Sequence, residues 1–163
     1  MKILSVLILS CLTIARASAG DAASLEPNKL TARKVLEEVL GQGLVEKNEG
    51  IYAPEFKAHG IERTAGREED RQAVKMWRTA FPDLKMTVTH VVAEADMVTV
   101  RYIGEGTNTG PIFGGPATGK RVKVAGITIF KLKDGRITDE WTSFDQMALL
   151  QQLGMMPAPA GTK

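Results

Sequence analysis

Asp145 is the residue of this sequence that is best placed to do chemistry. It follows an alternating segment, Arg136 to Phe144, and precedes a short apolar segment with helical spacing that starts at Gln146. A carboxylate at such a junction can face a cavity, where burial raises its pKa above about 3.9 and suits it to general acid/base catalysis. The pattern therefore predicts Asp145 as a catalytic acid/base.

A structural role for Asp145 is the alternative. Aspartate before a helix is a favoured N-cap, which contributes about 1 kcal/mol. However, Ser143 and Gln146 fit the capping box S-x-x-Q, in which these two residues satisfy the terminal amides. We therefore favour a free, functional Asp145, and the cap stays open as the competing interpretation.

The remaining candidate residues are few. His59 and His90 are the only histidines, and neither has a partner at metal-ligand spacing, so we expect no metal. Trp77 and Trp141 are typical of a core, and both could also form a cavity wall. We predict His59, Trp77 and Trp141 as substrate-binding residues.

A glycine-rich loop spans residues 104–120. Its end, Gly114 to Lys120, fits the phosphate-binding pattern G-x-x-x-x-G-K, but the next residue is Arg121 rather than serine or threonine. The following segment also alternates like a strand, whereas a phosphate loop opens a helix. The pattern therefore excludes a nucleotide-binding loop.

Helices come first along the chain and strands follow. Apolar residues recur at helical spacing after Asn28, a predicted N-cap, up to Gly41, and again from Gly66 to Phe81. From Leu84 the period changes to two, with hairpin turns at Ala95-Asp96 and at Asp134-Gly135. The order predicts an α+β fold: a cone-shaped barrel of a curled antiparallel sheet, packed against N-terminal helices and followed by a short C-terminal helix. Such a cone encloses an apolar cavity of the kind that binds small molecules.

Residues 1–19 have the features of a signal peptide. Lys2 precedes an apolar run from Ile3 to Ile14, and Ala17-Ser18-Ala19 matches the small-x-small cleavage pattern. We therefore expect an exported protein, periplasmic or secreted, with a flexible lead at 20–28, one domain at 29–156 and a disordered tail at 157–163. Cleavage as a lipoprotein at Cys11 is the alternative.

Removal of the signal changes the charge and cysteine content. The chain has 21 basic and 19 acidic residues, and the signal contains two basic residues and no acidic ones, so the remainder is balanced. This balance gives no basic face for nucleic acid. The only cysteine also lies in the signal, so the domain has no disulfide, and no later segment is long enough to span a membrane.

The sequence resembles the SnoaL-like polyketide cyclases, also called ester cyclases. The resemblance covers nearly the whole mature chain and is carried by the order and spacing of several motifs: Phe81-Pro82-Asp83-Leu84, Gly106-Thr107-Asn108-Thr109-Gly110, Pro116-Ala117-Thr118-Gly119-Lys120, Asp134-Gly135-Arg136-Ile137, Glu140-Trp141, Asp145 and Gln152-Leu153-Gly154. It implies the cone-shaped fold of nuclear transport factor 2 and ketosteroid isomerase.

The resemblance also implies a chemistry. Characterised cyclases close a polyketide ring by intramolecular aldol condensation, with one aspartate as acid/base and without metal or cofactor, and that aspartate corresponds to Asp145. Asn108 stands where many relatives have histidine, and Gly126 and Thr128 stand where antibiotic-pathway cyclases carry glutamine and histidine. Asn108 and Thr128 are therefore added to the predicted substrate-binding residues, in a pocket that differs from theirs.

Two functional hypotheses follow. The first is an exported, cofactor-free cyclase or isomerase that binds a small apolar carbonyl compound, with Asp145 as acid/base. The second is a non-catalytic binding module of the same fold. Isomerase or hydratase chemistry needs a second polar group for the oxyanion, for which Tyr52 and Tyr102 are the available tyrosines. Sheets of this fold often pair, so a homodimer stays open.

Overall fold

The computed structural model describes residues 19–157, which form four α-helices and six strands. The helices are α1 (Ala19–Lys34), α2 (Asn48–Ile51), α3 (Arg67–Ala80) and α4 (Gln146–Leu153). The strands are β1 (Tyr52–His59), β2 (Thr64–Ala65), β3 (Lys85–Glu94), β4 (Met97–Thr107), β5 (Arg121–Lys133) and β6 (Arg136–Phe144). The predicted signal up to residue 18, Cys11 and residues 158–163 of the predicted tail lie outside the described residues.

The N-terminal helix is longer than the sequence predicted. Residues 20–28 were expected as a flexible lead and Asn28 as an N-cap, but both belong to α1, which continues as a π-helical turn at Val35–Leu40. Pro27 lacks an amide hydrogen, so it removes a hydrogen bond from α1 without ending it. Asn28 is buried inside the helix rather than at its start.

The α+β fold with a curled sheet is confirmed. The sheet has the strand order β2-β1-β6-β5-β4-β3, and β3, β4, β5 and β6 form consecutive antiparallel pairs. The pair β1 and β6 runs parallel, which the alternation of the sequence could not indicate. Strand β1 follows α2 directly, because the chain is already extended at Tyr52.

The core lies between the concave face of the sheet and the helices. One cluster packs α1 and its π-helical turn against β3 and β4, with Val39, Val98, Val100 and Phe130 fully buried. A smaller cluster joins the end of α3 to α4 through Phe81, Ile112 and Leu149. Burial of side chains of this size contributes roughly 1.5–3 kcal/mol each. Between the two clusters the interior stays open.

No helix among residues 19–157 is long and apolar enough to cross a membrane.

Candidate functional site

An internal cavity of about 220 Å³ lies between the π-helical turn, α3 and strands β4 to β6. Most of its wall is aliphatic or aromatic, with Val35, Leu36, Val74, Trp77, Phe81, Met86 and Phe144 among the lining residues. Its polar lining residues are Tyr52, Asp70, Tyr102, Glu105, Thr128, Glu140 and Thr142. The cavity therefore combines an apolar body with several groups that can donate or accept protons.

Glu140 enters the cavity from β6. Successive side chains of a strand point to opposite faces, so Glu140, Thr142 and Phe144 share the concave face, and all three line the cavity. Thr142 donates a hydrogen bond to Glu140 Oε1 over 2.8 Å. The other oxygen, Glu140 Oε2, is buried and has no hydrogen-bond partner. The Thr142 hydroxyl thus orients the carboxyl group through Oε1, whereas Oε2 has no partner.

The hydroxyl groups of Thr142 and Thr128 lie 2.7 Å apart. The register of β5 and β6 produces this contact, since Thr128 and Thr142 are directly opposite each other. Because Thr142 donates to Glu140, its own oxygen is available to accept from Thr128. Thr128 on β5 therefore holds the Thr142 hydroxyl on β6, and Thr142 in turn orients the Glu140 carboxyl group.

Asp70 enters the same cavity from α3. Residues three, four and seven positions apart share one face of a helix, and Asp70 continues the stripe formed by Val74 and Trp77. Its Oδ2 atom is buried without a hydrogen-bond partner. Asp70 is therefore a second acid that faces the cavity rather than a surface charge of the first helical turn.

Burial raises the pKa of both acids. Desolvation, followed by the negative charge of Asp70, raises the pKa of Glu140 to about 7 against the opposing effects of the Thr142 and Tyr52 hydroxyls. Desolvation also raises the pKa of Asp70 to about 6. Near neutral pH, Glu140 can therefore both release and accept a proton.

Tyr52 and Tyr102 supply hydroxyl groups to the cavity. Tyr52 is almost fully buried, and its desolvation, followed by the charges of Glu140 and Asp70, raises its pKa well above the ordinary value. Desolvation raises the pKa of Tyr102 to about 12. Both phenols therefore stay protonated near neutral pH and can act as hydrogen-bond donors. They supply the second polar group that isomerase-type chemistry requires.

Asp145 does not lie in this cavity. It is exposed and is the N-cap of α4, where its Oδ1 accepts a hydrogen bond from the Ala148 amide over 2.9 Å. The expectation that a capping box of Ser143 and Gln146 would free Asp145 is wrong, because the helix begins one residue after Asp145, not after Ser143. The geometry gives Asp145 a structural role and does not support a catalytic one.

Asn108 is also structural. It is fully buried and lies outside the cavity, where its amide nitrogen donates to the Ala80 and Gly110 carbonyls over 3.2 and 2.7 Å. Its amide oxygen accepts from the Thr118 amide and hydroxyl over 2.8 and 3.1 Å. Asn108 thus joins the two arms of the glycine-rich loop to the end of α3, and this placement does not support its predicted substrate-binding role.

His59 and Trp141 lie outside the main cavity. The His59 ring stacks on Trp141 with centroids 4.8 Å apart, and its Nε2 lies 2.7 Å from Asp139 Oδ1. This contact lowers the pKa of Asp139. Trp141 alternates with Glu140 and Thr142, so it points away from the concave face and is 37% exposed. Trp141 therefore does not line the main cavity, and this position does not support its predicted role in substrate binding.

A second, outer cleft lies beside the cavity. It is lined by Ala58, His59, Gly60, Arg63 and Ala65, together with Glu140 and Thr142, which therefore border both spaces. His59 is thus near the candidate acid but on its outer side.

Trp77 and Thr128 are the two predicted binding residues that line the cavity. Sequence reasoning missed Asp70, Glu140 and Thr142. The sequence contains an indication that each of them faces the interior. Asp70 occupies a position of the apolar stripe of α3, and Glu140 and Thr142 alternate with the outward residues of β6. Among residues 19–157, no group of three His, Cys, Asp or Glu side chains is arranged to hold a metal ion.

A curled sheet that covers an acid-containing apolar cavity defines a small-molecule-binding protein of the α+β class. The model of the SnoaL-like polyketide cyclase family matches residues 30–153. This chain therefore belongs to the SnoaL-like polyketide cyclase family, as its motifs predicted.

Solved structures agree with this assignment. TsrD from Streptomyces laurentii is 28% identical, and the alignment covers 80% of this chain and 97% of TsrD with a TM-score of 0.74. A proposed SnoaL-like polyketide cyclase from Jannaschia sp. CCS1 is 25% identical over 82% of this chain and 95% of its own, with a TM-score of 0.75. IdmH, a proposed polyketide cyclase from Streptomyces antibioticus, is 26% identical. The alignment covers 78% of this chain and 98% of IdmH, with a TM-score of 0.69. No match was found among curated proteins.

Proposed function

We propose that this protein binds a small apolar carbonyl compound and moves a proton at the carbon beside the carbonyl, with Glu140 as acid/base. The observation that carries the proposal is the Glu140 carboxyl group, which lines an apolar cavity together with Asp70 and Thr142. The family membership supports cyclase or isomerase chemistry on a small molecule. Asp145, the residue that the resemblance favoured, is replaced in this role by Glu140.

The geometry supports each part of the reaction. Thr142 holds Glu140 Oε1, so Oε2 is the atom that can take a proton from the substrate and return it. The protonated phenols of Tyr52 and Tyr102 can donate hydrogen bonds to the enolate oxygen that forms. Apolar walls exclude water and strengthen both interactions. General acid/base catalysis of this kind contributes roughly 10² to 10⁴ in rate.

Exchange of carbon-bound hydrogen for deuterium tests the proposal without knowledge of the natural substrate. We expect the protein to accelerate exchange at the α-carbon of 1-indanone in D₂O, followed by proton NMR. The E140Q variant should lose this acceleration by about 10²-fold or more. D145N is the matched control, because asparagine caps a helix as well as aspartate does and should leave exchange unchanged.

The control also separates the two candidate acids. Full exchange by E140Q together with loss in D145N would overturn the role of Glu140 in favour of Asp145. If the wild type binds 1-indanone but does not accelerate exchange, the catalytic proposal is wrong and the protein acts as a binding module.

We also propose that the protein is exported through its N-terminal signal and pairs as a homodimer. The composition of residues 1–19 supports export, and mass spectrometry of the mature chain after expression with its signal would show cleavage near Ala19.

The exposed apolar side chains Val92, Ile127 and Trp141 support pairing through the outer face of the sheet. Light scattering coupled to size exclusion would show a monomer if this is wrong.

A further inference from the structure

The cavity carries an imbalance of charge. Its lining residues include three acids, Asp70, Glu105 and Glu140, and no lysine, arginine or histidine. Glu105 has a partner, since its Oε2 lies 3.7 Å from the Arg121 guanidinium. Asp70 and Glu140 have no cationic partner within the cavity.

The same two acids have unused acceptor atoms. Glu140 Oε2 and Asp70 Oδ2 are both buried and have no hydrogen-bond partner within 3.5 Å, although the Tyr52 hydroxyl is close enough to Glu140 to lower its pKa. A buried acceptor without a donor costs about 1–3 kcal/mol, and more when it is charged. Since both atoms belong to side chains that line one cavity, one ligand with several N–H donors can satisfy both.

Aromatic rings line the same cavity. Trp77, Tyr52 and Tyr102 line the cavity together with the two acids. The negative face of an aromatic ring attracts a cation, and the attraction is stronger where water is excluded. An apolar ligand with a positive charge therefore matches both the carboxylates and the walls.

We propose that the acidic end of the cavity binds the protonated amine of a small apolar compound. The ammonium group bridges Asp70 and Glu140, and the hydrocarbon body fills the apolar part of the cavity. This goes beyond the proposed function, because it requires no carbonyl group and no proton transfer at carbon.

Binding of an amine is coupled to the protonation of the two acids. The positive charge of the amine favours their ionised forms, so its affinity increases as pH rises through their pKa values of about 6 and 7. The other titratable side chains that line the cavity are Tyr52 of β1 and Tyr102 and Glu105 of β4, and His59 and Arg63 line the outer cleft that Glu140 borders. Both phenols stay protonated over this range, and Arg63 lies 3.6 Å from the exposed Glu69.

Calorimetric titration with 1-aminoindane, 1-indanol and indane, which share one ring system, tests the proposal. We expect 1-aminoindane to bind more tightly than 1-indanol at pH 8, and its affinity to be about ten-fold higher at pH 8 than at pH 5.5. The affinity of 1-indanol should not increase over this range. D70N and E140Q should each lower the affinity for 1-aminoindane by about ten-fold and change the affinity for 1-indanol little.

E68Q is the control for D70N, because Glu68 is an exposed acid of the same helical turn and pairs with Arg71. An affinity for 1-aminoindane at pH 8 that is equal to or below that for 1-indanol overturns the proposal, as does an equal loss in E68Q and D70N. The titration with 1-aminoindane is independent of the deuterium exchange of 1-indanone, so either proposal can fail while the other holds.

Discussion

The Tyr102 ring lies directly against the Cα of Gly126, its cross-strand partner in the sheet. A Cβ atom added at Gly126 would lie 2.8 Å from Tyr102 Cε2 and closer still to the hydroxyl end of the ring. A glycine at this position therefore lets the phenol lie across β5 and reach the cavity.

Substitution of Gly126 by alanine should displace Tyr102. We expect G126A to lower the free energy of unfolding by about 1–3 kcal/mol, as overpacking of a core does. Chemical denaturation measures the change. G50A is the control, because a Cβ at Gly50 has open space, and alanine in place of this helical glycine should keep or slightly raise stability. An equal effect in the two variants would show that Tyr102 does not depend on Gly126.

Glu140 should make the protein less stable as pH rises. The folded protein keeps the Glu140 proton up to about pH 7, whereas the unfolded chain releases it near 4.5. Between these values the folded state binds more protons than the unfolded state, so its contribution to stability falls with increasing pH.

E140Q removes this contribution. The pKa values of about 7 and 4.5 differ by about 2.5, and one pKa unit corresponds to about 1.4 kcal/mol, so the free energy of unfolding of E140Q relative to the wild type should rise by about 3 kcal/mol between pH 4 and pH 8. Urea denaturation at several pH values measures the difference. A constant difference between the two proteins across this range would contradict a raised pKa of Glu140.

The two tryptophans should report on different surfaces. Trp77 lines the cavity and lies between Phe113 and Phe144, each with its ring centroid 5.8 Å away, whereas Trp141 lies on the outer face beside His59. A ligand such as 1-indanol should therefore change the fluorescence of Trp77 alone. We expect W141F to keep the change in emission and W77F to lose most of it. The reverse result would place the ligand in the outer cleft.

Asn108 should contribute strongly to stability. Its replacement by alanine leaves the Ala80 and Gly110 carbonyls and the Thr118 amide without their partner. We expect N108A to lower the free energy of unfolding by roughly 3 kcal/mol, measured by denaturation. T109A is the control, because Thr109 is exposed. If N108A is as stable as T109A, other contacts hold the loop.

The sequence by itself determined the fold class, the family and the order of the elements. Its apolar periods distinguish helices such as α3 from strands such as β4, because each element must bury one face. The Asp-Gly pair at 134–135 likewise marks the hairpin between β5 and β6, since the turn requires positive φ at both residues, as found.

Only the tertiary structure decided which residues form the site. Local sequence is consistent with either Ser143 or Asp145 as the cap of α4, and the choice depends on where β6 ends. Trp141 and Glu140 are neighbours in the chain but point to opposite faces, and pairing with β5 decides which faces the cavity. Asp70 becomes a cavity residue only because α3 packs that face on the sheet, which brings it near an acid 70 positions away. The acidic site is thus produced by long-range register and packing, which no local pattern contains.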